Sequence, residues 1–181
     1  LYMLAAGFYS ASEAGVGCWF VNYMSESFDM GAEERALYAS LFFLLKTIGL
    51  VFGGFVIRYL GYFRTVLFYA VAAAALTSAG TALGKSGLLL IVLAGLAFSS
   101  IYPTILSTIP SSFGKETSQA TGLIMMSSSL TAMLSTLLIG LLNDFIGTRP
   151  AFFIVPLCLA FVAITSRFIQ KSSQKTQNSD R

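Results

Sequence analysis

Four long runs of the sequence contain no charged residue. They occupy residues 65–83, 86–114, 117–143 and 150–166. As helices, runs of this length match the hydrocarbon core of a bilayer, which is about 30 Å thick. Two further stretches, residues 1–25 and 36–57, are apolar except for one charge each. The pattern predicts an all-α, polytopic membrane protein with six transmembrane helices.

The composition excludes several classes of function. Hydrophobic residues make up 56% of the chain and charged residues 10%, whereas soluble domains have about 25% charged residues. Histidine is absent, which removes the most common proton shuttle and metal ligand. The net charge of +3 is small and scattered, which argues against nucleic-acid binding. We therefore expect a membrane protein that is not an enzyme and has no metal and no cofactor.

The connections between the spans carry information on topology. If residues 26–34 face outward, the inner loops and the carboxyl end hold seven Lys and Arg residues and the outer segments hold three. The positive-inside rule then places both termini in the cytoplasm, in a plasma or inner membrane. Residues 1–169 form the predicted membrane domain, and the polar residues 170–181 are predicted to be a disordered cytoplasmic tail.

The two charges inside apolar spans are Glu13 and Lys46. Glu13 lies about eleven residues before the span end near Met24, and Lys46 lies eleven residues after Arg35, so each is roughly 16 Å along its helix and near the bilayer centre. Charged groups at this depth usually face a cavity or a partner. The sequence predicts an ion pair, which could be a switch linked to protons or substrate or a static bridge between two helices.

Aromatic and hydroxyl side chains surround Glu13 on a helical wheel. Tyr9 lies within about 40 degrees of it, and Ser12 and Trp19 occupy the adjoining arc. Aromatic faces and hydroxyl groups are suited to a sugar. Trp19 and Tyr23, which lie near a span end, could equally be anchors at the membrane surface.

The fourth span carries hydroxyl groups at helical spacing. Ser100, Thr104 and Ser107 recur on one face, and Pro103 lies between them. Proline removes a backbone hydrogen bond and bends a helix, as happens beside transporter cavities. The stripe could line a substrate cavity, or its hydroxyl groups could serve only in helix packing.

A short motif occurs twice, at an offset of 86 residues. The copies are G-F-V-I-R-Y-L-G-Y-F-R at residues 54–64 and G-L-L-N-D-F-I-G-T-R-P at residues 140–150. Each lies at the end of the second helix of a three-helix set. The sequence therefore predicts two repeats, about residues 1–83 and 87–169. Because three is an odd number, the repeats are inverted relative to each other in the membrane.

The repeated motif resembles the loop signature of the major facilitator superfamily. The matching positions are Gly54, Gly61 and Arg64 in the first copy, with Arg58 at the usual acidic position, and Gly140, Asp144, Gly147 and Arg149 in the second. F-Y-S-A-S-E-A-G-V-G-C-W-F-V-N-Y at residues 8–23 resembles the seventh-helix motif of the fucose:proton symporter family. S-S-I-Y-P-T-I-L-S at residues 99–107, which contains Tyr102, is similar to its tenth-helix motif.

This resemblance implies the carboxyl-terminal six-helix half of such a transporter. The first and fourth spans would line the cavity, with Glu13, Lys46 and Tyr102 among the candidates for substrate binding or coupling, and the loop motifs would act in gating. The implied function is proton-coupled transport of a small polar solute, in particular a monosaccharide. The implied partners are lipid, substrate, protons and an amino-terminal half. Two alternatives are an exporter of drugs or metabolites and a non-transporting membrane scaffold.

Overall fold

The computed structural model describes residues 1–179, with side chains described through residue 170, and this part of the chain is almost entirely helical. The helices are α1 (Tyr2–Phe28), α2 (Ala32–Leu60), α3 (Tyr62–Leu83), α4 (Leu88–Phe98), α5 (Ile101–Ser107), α6 (Ile109–Phe113), α7 (Thr117–Ile146), α8 (Thr148–Ala151) and α9 (Ile154–Ser179). Short 3₁₀ turns at Gly84–Gly87 and Gly114–Glu116 join α3 to α4 and α6 to α7. The all-helical fold class is therefore confirmed.

The fourth apolar run is broken rather than continuous. It forms α4, α5 and α6, and the first interruption falls at Ser99 and Ser100. Pro103 has no amide hydrogen, so the Ser99 carbonyl four residues earlier cannot receive its usual helical bond. The helix is thus interrupted one turn before the proline, where the sequence predicts a bend.

A few long helix pairs build the bundle. α1 lies along α7 and α9, α2 lies along α4, and α3 packs against both α4 and α9. A row of buried rings crosses the bundle, with centroid separations of 5.7 Å from Phe98 to Phe42, 6.4 Å from Phe42 to Phe20 and 6.2 Å from Phe20 to Phe152. These contacts join α4, α2 and α1 to the segment between α8 and α9.

α2 and α7 each bury one narrow stripe. The stripe of α2 is Phe42, Gly49 and Gly53, and the stripe of α7 is Ile124, Ser128, Ser135 and Ile139. Most of the remaining surface of both helices is apolar and exposed. Lipid or another membrane domain can cover such surfaces, whereas water cannot do so favourably.

By length and composition, three stretches of residues 1–170 qualify as membrane spans: Ala32–Leu60, Tyr62–Ile146 and Thr148–Gln170. The middle stretch has 85 residues and contains α3 to α7. The count of six spans therefore stays a prediction. α9 continues to Ser179, past the predicted start of the tail at residue 170. Side chains from 171 onward and residues 180–181 are not described, and the disordered tail also stays a prediction.

Candidate substrate site

Glu13 and Lys46 form an ion pair, as the sequence predicts. The Lys46 ammonium donates to the Glu13 carboxylate, which joins the middle of α1 to the middle of α2. It is the one salt bridge found within residues 1–170. Both side chains are half-buried, so the pair lies at the edge of the packed bundle and is open on one side.

The backbone of α2 around Lys46 lies directly against α4. A Cβ added at Gly95 would lie 3.3 Å from the Lys46 amide nitrogen, and one added at Gly49 would lie 2.6 Å from Ser99 Oγ. One added at Gly53 would collide with Ser100 Oγ. Helices in membranes approach this closely only where small residues meet. The position of Lys46 is therefore fixed by packing on α4.

Tyr9 is buried and does not line the open face. Its hydroxyl donates to the Phe98 carbonyl, with an oxygen–oxygen distance of 2.8 Å. Its ring stacks on Tyr102 with centroids 5.8 Å apart and planes inclined by 24°. The helical wheel places Tyr9 beside Glu13, and in this structure its side chain is buried, so its role in a substrate cavity stays a prediction. The side chain contacts the broken fourth span.

Ser12 and Trp19 contact the neighbouring helices. Ser12 Oγ donates to the Phe8 carbonyl at 2.9 Å and lies 3.3 Å from the Val155 carbonyl. The Trp19 indole donates to the Thr136 carbonyl at 3.2 Å. Both side chains therefore serve packing of α1 against α9 and α7. A role of these two residues in a substrate cavity stays a prediction.

The anchor alternative for the aromatic residues is also wrong for Tyr23. Its ring is fully buried and stacks on Phe152 with centroids 4.6 Å apart. The Trp19 ring packs against Gly140, where an added Cβ would lie 3.0 Å from the indole. Both rings thus belong to the interior contacts of the bundle and are not free at a membrane surface.

The hydroxyl residues that the sequence places on one face of the fourth span differ in burial. Ser100 and Thr104 are buried, and the Thr104 hydroxyl donates to the Ser100 carbonyl. Ser107 is exposed, and its hydroxyl donates to the Thr104 carbonyl at 2.8 Å. Tyr102 is half-buried. Tyr102 and Ser107 therefore remain available to a ligand, whereas Ser100 and Thr104 face the helix contacts.

The loop motifs share one backbone geometry. Gly61 has φ 76° and ψ 161°, and Gly147 has φ 85° and ψ 161°. Each ends one long helix and begins the next helix as a single connecting residue. Positive φ is readily adopted by glycine and strained for other residues, which explains both positions. The equal spacing of the glycines in the two copies thus reflects a shared turn.

The charged motif residues do not form a network among themselves. Arg58, Arg64 and Asp144 are exposed, and Gly54 has open space around its Cα. Arg149 instead donates from Nη2 to the Ala82 carbonyl at 3.1 Å. This cation caps the carboxyl end of α3, where unpaired carbonyl groups favour positive charge. Sequence reasoning did not predict this contact, because the partner is a backbone atom 67 residues away.

The structure also contains a cavity away from the ion pair. It has a volume of about 270 Å³ and lies between the start of α1, α6 and the start of α7. Its polar lining comes from Tyr2, Glu116 and Gln119. The Tyr2 hydroxyl lies 2.8 Å from Ser112 Oγ at the same end of the bundle. None of the predicted cavity residues contributes to it.

A family model described as Major Facilitator Superfamily matches residues 2–181. The chain belongs to this superfamily. It is thus an integral membrane protein of a transporter family. Two curated relatives, both named glucose/galactose transporter and both from Brucella abortus strains, are 28% identical over 169 residues, which cover 91% of this chain and 40% of theirs.

Solved structures agree with this assignment. The E. coli fucose:proton symporter FucP superimposes with a TM-score of 0.85 and 26% identity, over 92% of this chain and 41% of FucP. A peptide transporter of the POT family superimposes with a TM-score of 0.77 and 19% identity, over 94% and 36% of the two chains, and supports the fold alone. The chain spans about two fifths of the length of the relatives it matches.

Proposed function

We propose that this chain is the carboxyl-terminal six-helix half of a secondary transporter for a small polar solute, in particular a monosaccharide. The observation that carries the proposal is the half-buried Glu13–Lys46 ion pair in the middle of two apolar helices. Intramembrane charges are costly unless they face a cavity or a partner, and they commonly mark substrate or ion pathways. The chain belongs to a transporter superfamily, and the ion pair would take part in transport.

The proposed six spans are α1, α2, α3, the broken segment from α4 to α6, α7 and α9. Two observations support their division into repeats. The bond from the Gly61 amide to the Ile57 carbonyl recurs, 86 residues later, from the Gly147 amide to the Asn143 carbonyl. The helix contacts recur as well, because α1 on α7 corresponds to α4 on α2, and α1 on α9 corresponds to α4 on α3. An approximate twofold axis between the repeats accounts for both.

The proposed topology has both termini in the cytoplasm. The count of seven inner to three outer basic residues supports it. It leaves the acidic start of α2, where Glu33 and Glu34 occupy the first turn, on the outside. The carboxylates there also complement the positive end of the helix dipole.

The proposed substrate class rests on the relatives and on the available side chains. The Brucella relatives are named for glucose and galactose, and FucP is named for fucose and protons. Tyr102, which stacks on Tyr9, offers a ring and a hydroxyl, and Ser107 offers an exposed hydroxyl further along the same span. A carboxylate, an ammonium and hydroxyl groups beside a ring form a set that binds sugar hydroxyls and C–H faces. Proton coupling would be carried by the complete assembly.

The test is uptake into proteoliposomes that contain the chain together with an amino-terminal six-helix half. We expect saturable uptake of labelled glucose, galactose or fucose that increases with an imposed proton gradient. Glu13→Gln should reduce it, whereas Glu26→Gln, at an exposed position, is the matched control and should not. No gradient-dependent uptake of any of the three sugars would contradict the proposal. Efflux of apolar dyes instead would favour the exporter alternative.

A further inference from the structure

The break in the fourth span is contacted by both helices of the ion pair. From α1, the Tyr9 hydroxyl bonds the carbonyl of Phe98, the last residue of α4. From α2, Gly49 and Gly53 lie against Ser99 and Ser100, the two residues between α4 and α5. The ion pair and the break are therefore parts of one contact cluster, although Glu13 and Lys46 are not on the broken helix.

Tyr9 holds both sides of the break. Its hydroxyl bonds the carbonyl that precedes the break, and its ring stacks on Tyr102, which follows it. Glu13 lies one helical turn further along α1 and within electrostatic reach of the phenol. A displacement of α1 at Glu13 would therefore shift the hydroxyl relative to the Phe98 carbonyl. The ring contact would move with it.

The second connection runs through α2. Lys46 precedes Gly49 by one helical turn, and the Gly49 and Gly53 contacts leave no room for a side chain. α2 and the break are therefore closely fitted, and α2 cannot shift without moving against Ser99 and Ser100. The ion pair links the two connections, because it ties α1 to α2 at the same level.

We infer that Tyr9 is a positioning residue that couples the Glu13–Lys46 pair to the bend between α4 and α5. Protonation of Glu13, or a hydrogen bond from a substrate hydroxyl to its carboxylate, breaks the ion pair with Lys46. α1 is then no longer held to α2, and Tyr9 transmits the shift of α1 to the break. The side chains after the break, Tyr102 and Ser107, then change position relative to α1. This inference rests on the proposed transport function but is tested without transport.

The test is a distance measurement across the break in the assembled protein. Spin labels on cysteines at Leu89 and Ser111, both exposed, would be roughly 33 Å apart along a straight helix. The background carries Cys18→Ser and Cys158→Ala. Glu13→Gln should shift the distance by on the order of 1–2 Å, the size of helix shifts in switching proteins. The same change in a Tyr9→Phe background should produce a clearly smaller shift, because the hydroxyl bond is lost while the ring contact and the α2 contacts remain.

The matched control is Tyr102→Phe, which removes a hydroxyl from the other ring of the same stack. In that background the Glu13→Gln shift should persist. An equal shift with and without the Tyr9 hydroxyl would overturn the inference, as would loss of the shift in Tyr102→Phe. Absence of any shift on Glu13→Gln would also overturn it.

Should Tyr9→Phe fail to assemble, hydrogen exchange in Lys46→Met provides the second measurement. The amides of residues 100, 101, 102 and 104 should exchange several-fold faster than in the parent, while those of residues 89–93 should not. Unchanged exchange at 100–104 would refute the coupling. Failure of sugar uptake with an intact distance shift would contradict only the proposed function, so the two failures are distinguishable.

Discussion

Removing one partner of the Glu13–Lys46 pair should destabilise the protein more than removing both. The relevant variants are Glu13→Gln, Lys46→Met and the double variant. A surviving buried charge without its partner costs about 3–5 kcal/mol, whereas exposed pairs contribute at most about 1 kcal/mol. The side chains here are 36% exposed for Glu13 and 23% for Lys46, between these limits. We therefore expect a loss of about 2 kcal/mol for each single variant.

The exposed fractions of the two side chains also predict which single variant is less stable. Lys46 is the more buried partner, so Glu13→Gln, which leaves the ammonium alone, should be the worse single variant. The double variant should lose less than either single one, because an amide and a thioether need no counter-charge. At about 2–4 °C per kcal/mol, the single variants should lower the unfolding midpoint by about 4–8 °C.

The assay is thermal unfolding of the purified assembly in detergent, followed by tryptophan fluorescence. Glu26→Gln is the control, because Glu26 is an exposed carboxylate bonded to Asn22 at 2.9 Å and should shift the midpoint very little. If the losses of the two single variants simply add in the double variant, the two groups do not interact and the reasoning is refuted.

Four further outcomes follow from the contacts described. Gly53→Ala should lower stability by about 1–3 kcal/mol in thermal unfolding through its collision with α4, whereas Gly54→Ala, beside open space, should not; equal effects would contradict the packing. Arg149→Gln should cost about 1 kcal/mol by the same measurement, and an unchanged midpoint would show that its bond to the end of α3 contributes nothing. Cysteines at Ala32 and Ser118 should react with an impermeant reagent from opposite sides of the membrane; reaction from one side would overturn the topology. The 181-residue chain alone should not catalyse sugar uptake in proteoliposomes, and saturable uptake by a monomer would refute the missing half.

The sequence predicted the features that depend on position along a helix. Glu13 and Lys46 could be paired because their depth in the membrane follows from their distances to one connection. The interruption near Pro103 could be predicted because proline has no amide hydrogen to donate. The direction of each side chain around the helix was harder. A helical wheel places Tyr9 next to Glu13, but it does not say which side of α1 another helix covers.

The packing of α1 explains why these directions could not be predicted. Because α7 and α9 pack along it and the fourth span contacts it as well, only part of its circumference stays open. Ser12 and Trp19 face carbonyl groups of α9 and α7. These partners are more than a hundred residues away in the sequence, so only the fold identifies them. The close contact of Gly49 and Gly53 with Ser99 and Ser100 likewise depends on the fold, because the sequence does not identify the helix that a glycine contacts.

The single-residue connections at Gly61 and Gly147 constrain how this domain can deform. A connection of one residue limits the relative movement of the two helices that it joins. We therefore expect α2 to move together with α3, and α7 together with the segment that follows it. The segment from α4 to α6 contains its own interruption and is not held in this way. Any conformational change would therefore be concentrated in the segment from α4 to α6, and the helix pairs joined at Gly61 and Gly147 would move relative to it as rigid units.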